Sequence, residues 1–175
     1  FFNGSDKTAV MKRYQLDERR IVIYTGILDQ LQRIDYLLKA MRLVVDKIGN
    51  AKLLLAANIA KEEDIQECTK IIKELKLQEH VNIITNVPFA EIPSFLAAGE
   101  IAVISRPDCP GFPVKLLNYM AAGKAIVVFK GSAKKLQHMK NAYVVDDHDW
   151  KAMGEGIISL LENPALAETL GKNAK

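Results

Sequence analysis

Residues 107–129 read "PDCPGFPVKLLNYMAAGKAIVVF". Three elements follow one another here without a spacer. A Pro/Gly turn leads into a short apolar helix, and a β-branched strand closes the segment. A proline-stiffened turn directly before a helix matters because the first turn of a helix leaves backbone N–H groups without intrahelical partners. Together with the positive end of the helix dipole, they form a natural seat for an anion. Pro113 is expected as the first helical residue, where its missing N–H costs nothing. Val114, Lys115 and Leu116 would then present their amides. Lys115 places a cation where the dipole disfavours one, a local conflict that an anionic ligand would resolve. Asn118 lies one turn on, on roughly the same face, with an amide suited to a ribose hydroxyl. An ordinary buried helix with a surface lysine fits the same residues.

The strand "AIVVF" (125–129) is one of six short apolar runs. The others are 20–26, 52–57, 81–85, 101–105 and 142–145, and most are continuous rather than alternating. Continuous runs fit strands covered on both faces, as in a parallel sheet. Helical spacing fills the intervals 35–48, 62–75, 91–98 and 114–122. The tail is helical too, capped by Asp147 or Asp149 and broken at Asn163-Pro164. Strands alternating with helices predict an α/β fold: a Rossmann-like open parallel sheet of about six strands with helices on both faces. Ligands of such sheets sit at the carboxyl ends of the strands.

Bulk properties narrow the partners. The chain has 175 residues, 49% hydrophobic and 26% charged, with a net charge of +3. These are globular values, and the charge is too mild to point to nucleic acid. Lys130, Lys134, Lys135, His138 and Lys140 cluster in sequence, which suits a solvated face or a weak attraction to anionic groups. Two cysteines, Cys68 and Cys109, carry no metal or disulfide spacing and are expected as reduced thiols in a cytoplasmic protein. His80, His138 and His148 are isolated. No G-x-G-x-x-G follows the first strand, and no nucleophile elbow is present.

Two other strand-end loops are candidates. In "YTGILDQLQRID", Gly26 allows close backbone approach to a ligand, and Arg33 can fork onto a phosphate. A turn glycine and a surface arginine fit equally. In "TNVPFAEIPSFL", Val87 and Pro88 offer rigid backbone to a flat base edge, or simply connect strand to helix.

Four stretches in order, "YTGILDQLQRIDYLLKAM", "LKLQEHVNIITNVPFAEIPSFLAAGEIAVISRP", "GFPVKLLNYMAAGKAIVV" and "LLENPALAETLGKNAK", resemble the C-terminal domain of GT-B glycosyltransferases of the retaining family 4 type. The resemblance covers nearly the whole chain. It implies one half of a GT-B fold that holds a UDP-, GDP- or ADP-sugar, with no metal cofactor. It places the diphosphate and sugar on Gly111, Phe112, Pro113 and Val114; Gly26, Arg33, Pro110 and Lys115 are nominated beside them for the same group from their positions in the strand-end loops. It places the base and ribose on Val87, Pro88, Ile92 and Asn118. The family's two glutamates map onto Pro110 and Asn118, its arginine onto Ile27 and its lysine onto Gln32. Arg33 and Lys115 are the charged replacements nominated here, and the catalytic groups stay unassigned.

The opening "FFNGSD" resembles the hinge between GT-B domains. Residues 1–19 are therefore expected as hinge remnant and first helix, and 20–175 as the donor domain. The saccharide or lipid acceptor would belong to an N-terminal domain, as would any peripheral contact with the cytoplasmic face of a membrane. A fragment of this kind is expected to bind nucleotide and transfer little. A non-enzymatic binding module with a degenerate site is the alternative, and an epimerase-like relative is a third reading.

Overall fold

The computed structural model describes residues 6–175. The hinge-like opening, apart from Asp6, lies outside the described residues. Six strands form one sheet in the order β3-β2-β1-β4-β5-β6, and every pairing is parallel. The strands are β1 (Arg20–Leu28), β2 (Ala51–Ala60), β3 (Val81–Ile84), β4 (Ile101–Ile104), β5 (Ala125–Phe129) and β6 (Tyr143–Val145). Each falls on one of the apolar runs. The helices are α1 (Lys7–Arg13), α2 (Ile34–Lys47), α3 (Glu62–Glu74), α4 (Ile92–Ala98), α5 (Val114–Ala121), α6 (Lys130–Ala133), α7 (Trp150–Glu162) and α8 (Pro164–Ala174).

The continuous apolar runs arise because both faces of the sheet are covered. Successive side chains of β1 alternate between two cores. Val22 and Tyr24 join Leu37, Leu38 and Met41 of α2 and Ile157 and Leu160 of α7. Ile21 and Ile23 join Phe95 and Leu96 of α4 and Leu116 and Tyr119 of α5. Val10 of α1 and Leu16, just after it, bury in that second core. Asp6 caps α1 by accepting from the Thr8 amide at 2.7 Å. Thus residues 6–19 pack onto the α4 side of the sheet.

The tail resolves as read, with one refinement. Asp149 caps α7 by accepting from the Ala152 amide at 2.9 Å, while Asp147 accepts from the Gly131 amide. Asn163 both ends α7 and caps α8 through the Leu166 amide at 3.1 Å.

The strand order reverses between β1 and β4. Their following connections run to opposite faces, and a crevice opens between the two carboxyl ends. That is where an open α/β sheet places its ligand.

Candidate donor-binding cleft

A cleft of about 530 Å³ occupies this switch point. It is lined by the end of β1 (Thr25 to Ile27), Gln32 in the turn that follows it, the β4–α5 connection (Arg106, Cys109 to Pro113) and the start of α5 (Val114, Lys115, Asn118). Asn58, Phe89 and Ile92 close the β2–β3 side. Gly26, Pro110, Gly111, Phe112, Pro113, Val114, Lys115, Ile92 and Asn118 are thus brought together from separate loops. Among the described residues, no carboxylate lines the cleft.

Lys115 sits at its floor. Its Nζ donates to the Tyr24 hydroxyl at 2.6 Å and to Oε1 of Gln32 at 2.8 Å. It also lies 4.0 Å from the Tyr24 ring centroid, within cation–π range. The Tyr24 hydroxyl in turn donates to the Ile27 carbonyl at 2.5 Å. An ammonium has three donors, so two fixed partners leave a third for a ligand. Burial lowers the Lys115 pKa to about 7; Asp29 pulls it upward, and the nearby Arg106 charge lowers it further. Gly26 makes room for this lysine. Its φ is +124°, and a Cβ there would lie 3.1 Å from Lys115 Cε and 3.2 Å from Nζ.

Gln32 is held from three sides. The Asp29 side chain caps its turn by accepting from the Gln32 amide at 3.0 Å, and the buried Ser105 hydroxyl donates to its carbonyl at 2.7 Å. Lys115 takes the side-chain oxygen. The end of β1 is fixed from beneath: the Thr25 amide donates to the fully buried Tyr119 hydroxyl at 2.8 Å. Burial pushes the Tyr119 pKa up to about 12, so this phenol stays neutral.

The Pro/Gly turn is braced as a unit. Arg106 Nε donates to the Asp108 carbonyl at 2.9 Å, and the Cys109 thiol donates to the Gly111 carbonyl at 3.4 Å. Ser132 Oγ donates to the Arg106 carbonyl at 2.6 Å, and Lys134 donates to the Cys109 carbonyl. One member of the lysine cluster therefore supports the turn. Gly131 touches it so closely that a Cβ would lie 1.8 Å from the Pro107 carbonyl oxygen.

Pro113 differs from expectation. It is the N-cap of α5, with extended backbone, and Val114 is the first helical residue. The Leu116 amide already donates to the Pro113 carbonyl at 2.9 Å, so Val114 and Lys115 are the amides left to a ligand.

Three nominated residues stand outside the cleft lining. Arg33 caps α2 in a left-handed conformation and makes two 2.8 Å hydrogen bonds to Asp35. Its guanidinium also stacks 3.6 Å from the Tyr36 ring centroid. The hydrogen bonds to Asp35 raise its pKa still higher, so its charge is spent locally. Val87 is 4% exposed and belongs to the core, and its amide donates to the Ala57 carbonyl at 3.0 Å. Pro88 also lies outside the lining; Phe89, one residue later, faces the cleft at 59% exposure.

Sequence reasoning missed Tyr24, Arg106, Phe89 and Asn58, and noted Gln32 only as a departure from a family pattern. Arg106 carried a usable signal, because it lies two residues beyond β4 on the ligand side of the sheet. Tyr24 carried none, because it sits inside an apolar run and is itself fully buried.

With this geometry in place, the comparisons are specific. A family model described as glycosyl transferases group 1 matches residues 6–175. The chain belongs to that family. An alpha-D-kanosaminyltransferase from Streptomyces kanamyceticus is 25% identical over 96% of this chain and 43% of its own length. An uncharacterized glycosyltransferase from Haemophilus influenzae is 24% identical over 85% of this chain and 41% of its own length. The chain thus spans less than half the length of these curated relatives.

Solved structures confirm the fold. HepE from Anabaena, crystallised with UDP-glucose, superposes with a TM-score of 0.87 at 18% identity, over 98% of this chain and 47% of that one. The C-terminal domain of a glycosyl transferase group 1 protein from Francisella tularensis gives a TM-score of 0.79 at 18% identity, over 98% of this chain and 94% of that domain. This group 1 glycosyl transferase domain therefore has the half-GT-B architecture expected from its sequence. Among the described residues, no helix is long and apolar enough to cross a membrane.

Proposed function

We propose that this chain is the donor half of a glycosyltransferase. It binds a nucleoside-diphosphate sugar, and the complete protein transfers that sugar to a saccharide or lipid acceptor. The observation that carries this reading is the Lys115 ammonium. It is fixed between Gly26, Tyr24 and Gln32 at the sheet's switch point, in a cleft that no carboxylate lines among the described residues.

Negative charge grows on the diphosphate as the glycosidic bond of the donor breaks. Groups already aimed at that charge lower the barrier, because they need no reorganisation when it forms. Lys115, Arg106 and the amides of Val114 and Lys115 are the groups this chain supplies. The protein's own cations, rather than a metal, take the role of neutralising the phosphates. Asn118 is proposed for the ribose. Burial of the Lys115 ammonium strengthens its contacts. The acceptor, and any membrane contact, belong to the remainder of the protein. Cys68 and Cys109 are both free thiols, which supports a cytoplasmic setting.

The test is calorimetric titration with UDP, GDP, ADP and the matching nucleosides. Saturable binding of one diphosphate, with its nucleoside much weaker, is expected and would name the base. A chain that binds none of them, or binds nucleoside and diphosphate alike, refutes the donor site.

A further inference from the structure

The cations of the cleft enter from the β4–α5 side. The β2–β3 side is uncharged and contributes Asn58, Phe89 and Ile92. Asn58 is placed there by an irregularity in the sheet. Gly26 of β1 pairs with Ala57, but the next residue, Ile27, pairs with Ile59. One extra residue on β2, Asn58, is left without a partner on β1. Such bulges re-aim a side chain and recur next to functional sites. Asn58 is exposed and borders the cleft.

The adjoining loop is tied to the same point. The Val87 amide donates to the carbonyl of Ala57, the residue just before Asn58. That bond spends the Val87 N–H, and Pro88 has none to offer. Among the described residues that line this side of the cleft, Asn58 is the one with a polar side chain, beside Phe89 and Ile92. A primary amide presents a donor and an acceptor side by side. A nucleobase edge presents the complementary pair, and its faces need apolar or aromatic contact.

Taking the donor reading above as its basis, we propose that Asn58 is a specificity-determining residue that hydrogen-bonds the edge of the donor's nucleobase, with Phe89 and Ile92 packing against the base. Asn58 lies outside the cation set, so its contribution is separable from that of the diphosphate.

The experiment titrates wild-type, Asn58→Ala and Asn58→Asp chains with UDP, GDP, ADP and inorganic pyrophosphate, with circular dichroism to verify folding. The expected result is a loss of about tenfold in affinity for the preferred nucleotide in Asn58→Ala, with pyrophosphate binding unchanged and discrimination among the three bases reduced. Asn58→Asp, which can only accept, is expected to shift the order of preference among bases. Unchanged nucleotide affinity in both variants overturns the assignment. So does an equal loss for nucleotide and pyrophosphate, which would mean a merely structural role. A wild-type chain that binds no nucleoside diphosphate overturns the donor reading itself and this inference with it.

Discussion

Lys115 Nζ lies 2.6 Å from the Tyr24 hydroxyl, joining residues 91 apart in sequence across the switch point of the sheet. This contact ties the helix that follows the Pro/Gly turn to the strand that precedes the Gly26 loop. It turns two separate motifs into one site.

Lys115→Met keeps much of the side-chain volume and removes the charge. Hydrogen bonds to charged groups contribute about 1.5–3 kcal/mol, so affinity for the nucleoside diphosphate should fall by about tenfold to a hundredfold. The bare nucleoside should bind as before. Parallel titrations check this, and equal losses for both ligands would remove Lys115 from the phosphate role.

Affinity for the diphosphate should fall as pH rises from 7 to 9. Burial holds the Lys115 pKa near 7, below the ordinary 10.5, while the ligand selects the ammonium. Binding above pH 7 therefore takes up a proton. Calorimetry in buffers of different ionisation heat measures that uptake, which Lys115→Met should abolish. The stability of the unliganded chain runs the other way. Between about pH 7 and 10.5 the unfolded chain holds a proton at Lys115 that the folded chain has lost, so stability rises with pH through that window. Burial likewise lowers Lys124 to about 8, with the same sign. Urea midpoints at pH 7 and 9 should show a larger rise in wild type than in Lys115→Met.

Arg33→Ala should leave diphosphate affinity within about twofold, because the guanidinium is engaged by Asp35 and Tyr36. A loss as large as that of Lys115→Met would show that Arg33 swings into the cleft when ligand arrives.

Tyr119→Phe removes the partner of the Thr25 amide and leaves a buried donor unsatisfied. The cost should be about 1–3 kcal/mol of stability. Urea unfolding measures it, and an unchanged midpoint would mean that the amide finds another acceptor.

Gly26→Ala sets a Cβ 3.1 Å from Lys115 Cε on backbone at φ +124°. Strain of about 1–3 kcal/mol and a displaced lysine should follow. Stability and diphosphate affinity should then fall together, in contrast to Lys115→Met. Retained affinity in Gly26→Ala would show that the close approach is dispensable.

Much of this protein was legible in its sequence because the signals are local. Runs such as 101–105 and 125–129 are apolar at every position, since a strand between two helical layers has no solvent face. Asn163-Pro164 breaks the tail because proline cannot continue a helix. The turn at 107–113 marks the carboxyl end of the sheet through its place between β4 and α5. These facts determined the α/β class, the parallel sheet and the end at which to look.

The tertiary structure alone decided which side chains reach the cleft. Arg33 and Lys115 are both cations beside strand-end loops, yet one is spent on Asp35 two residues away while the other crosses the sheet to Tyr24 and Gln32. Val87 and Phe89 are both apolar residues of one loop, yet one is core and the other faces the cleft. The extra residue that frees Asn58 exists only in the pairing of β2 against β1. Side-chain direction, burial and partner choice depend on residues far apart in the chain, and no local spacing encodes them.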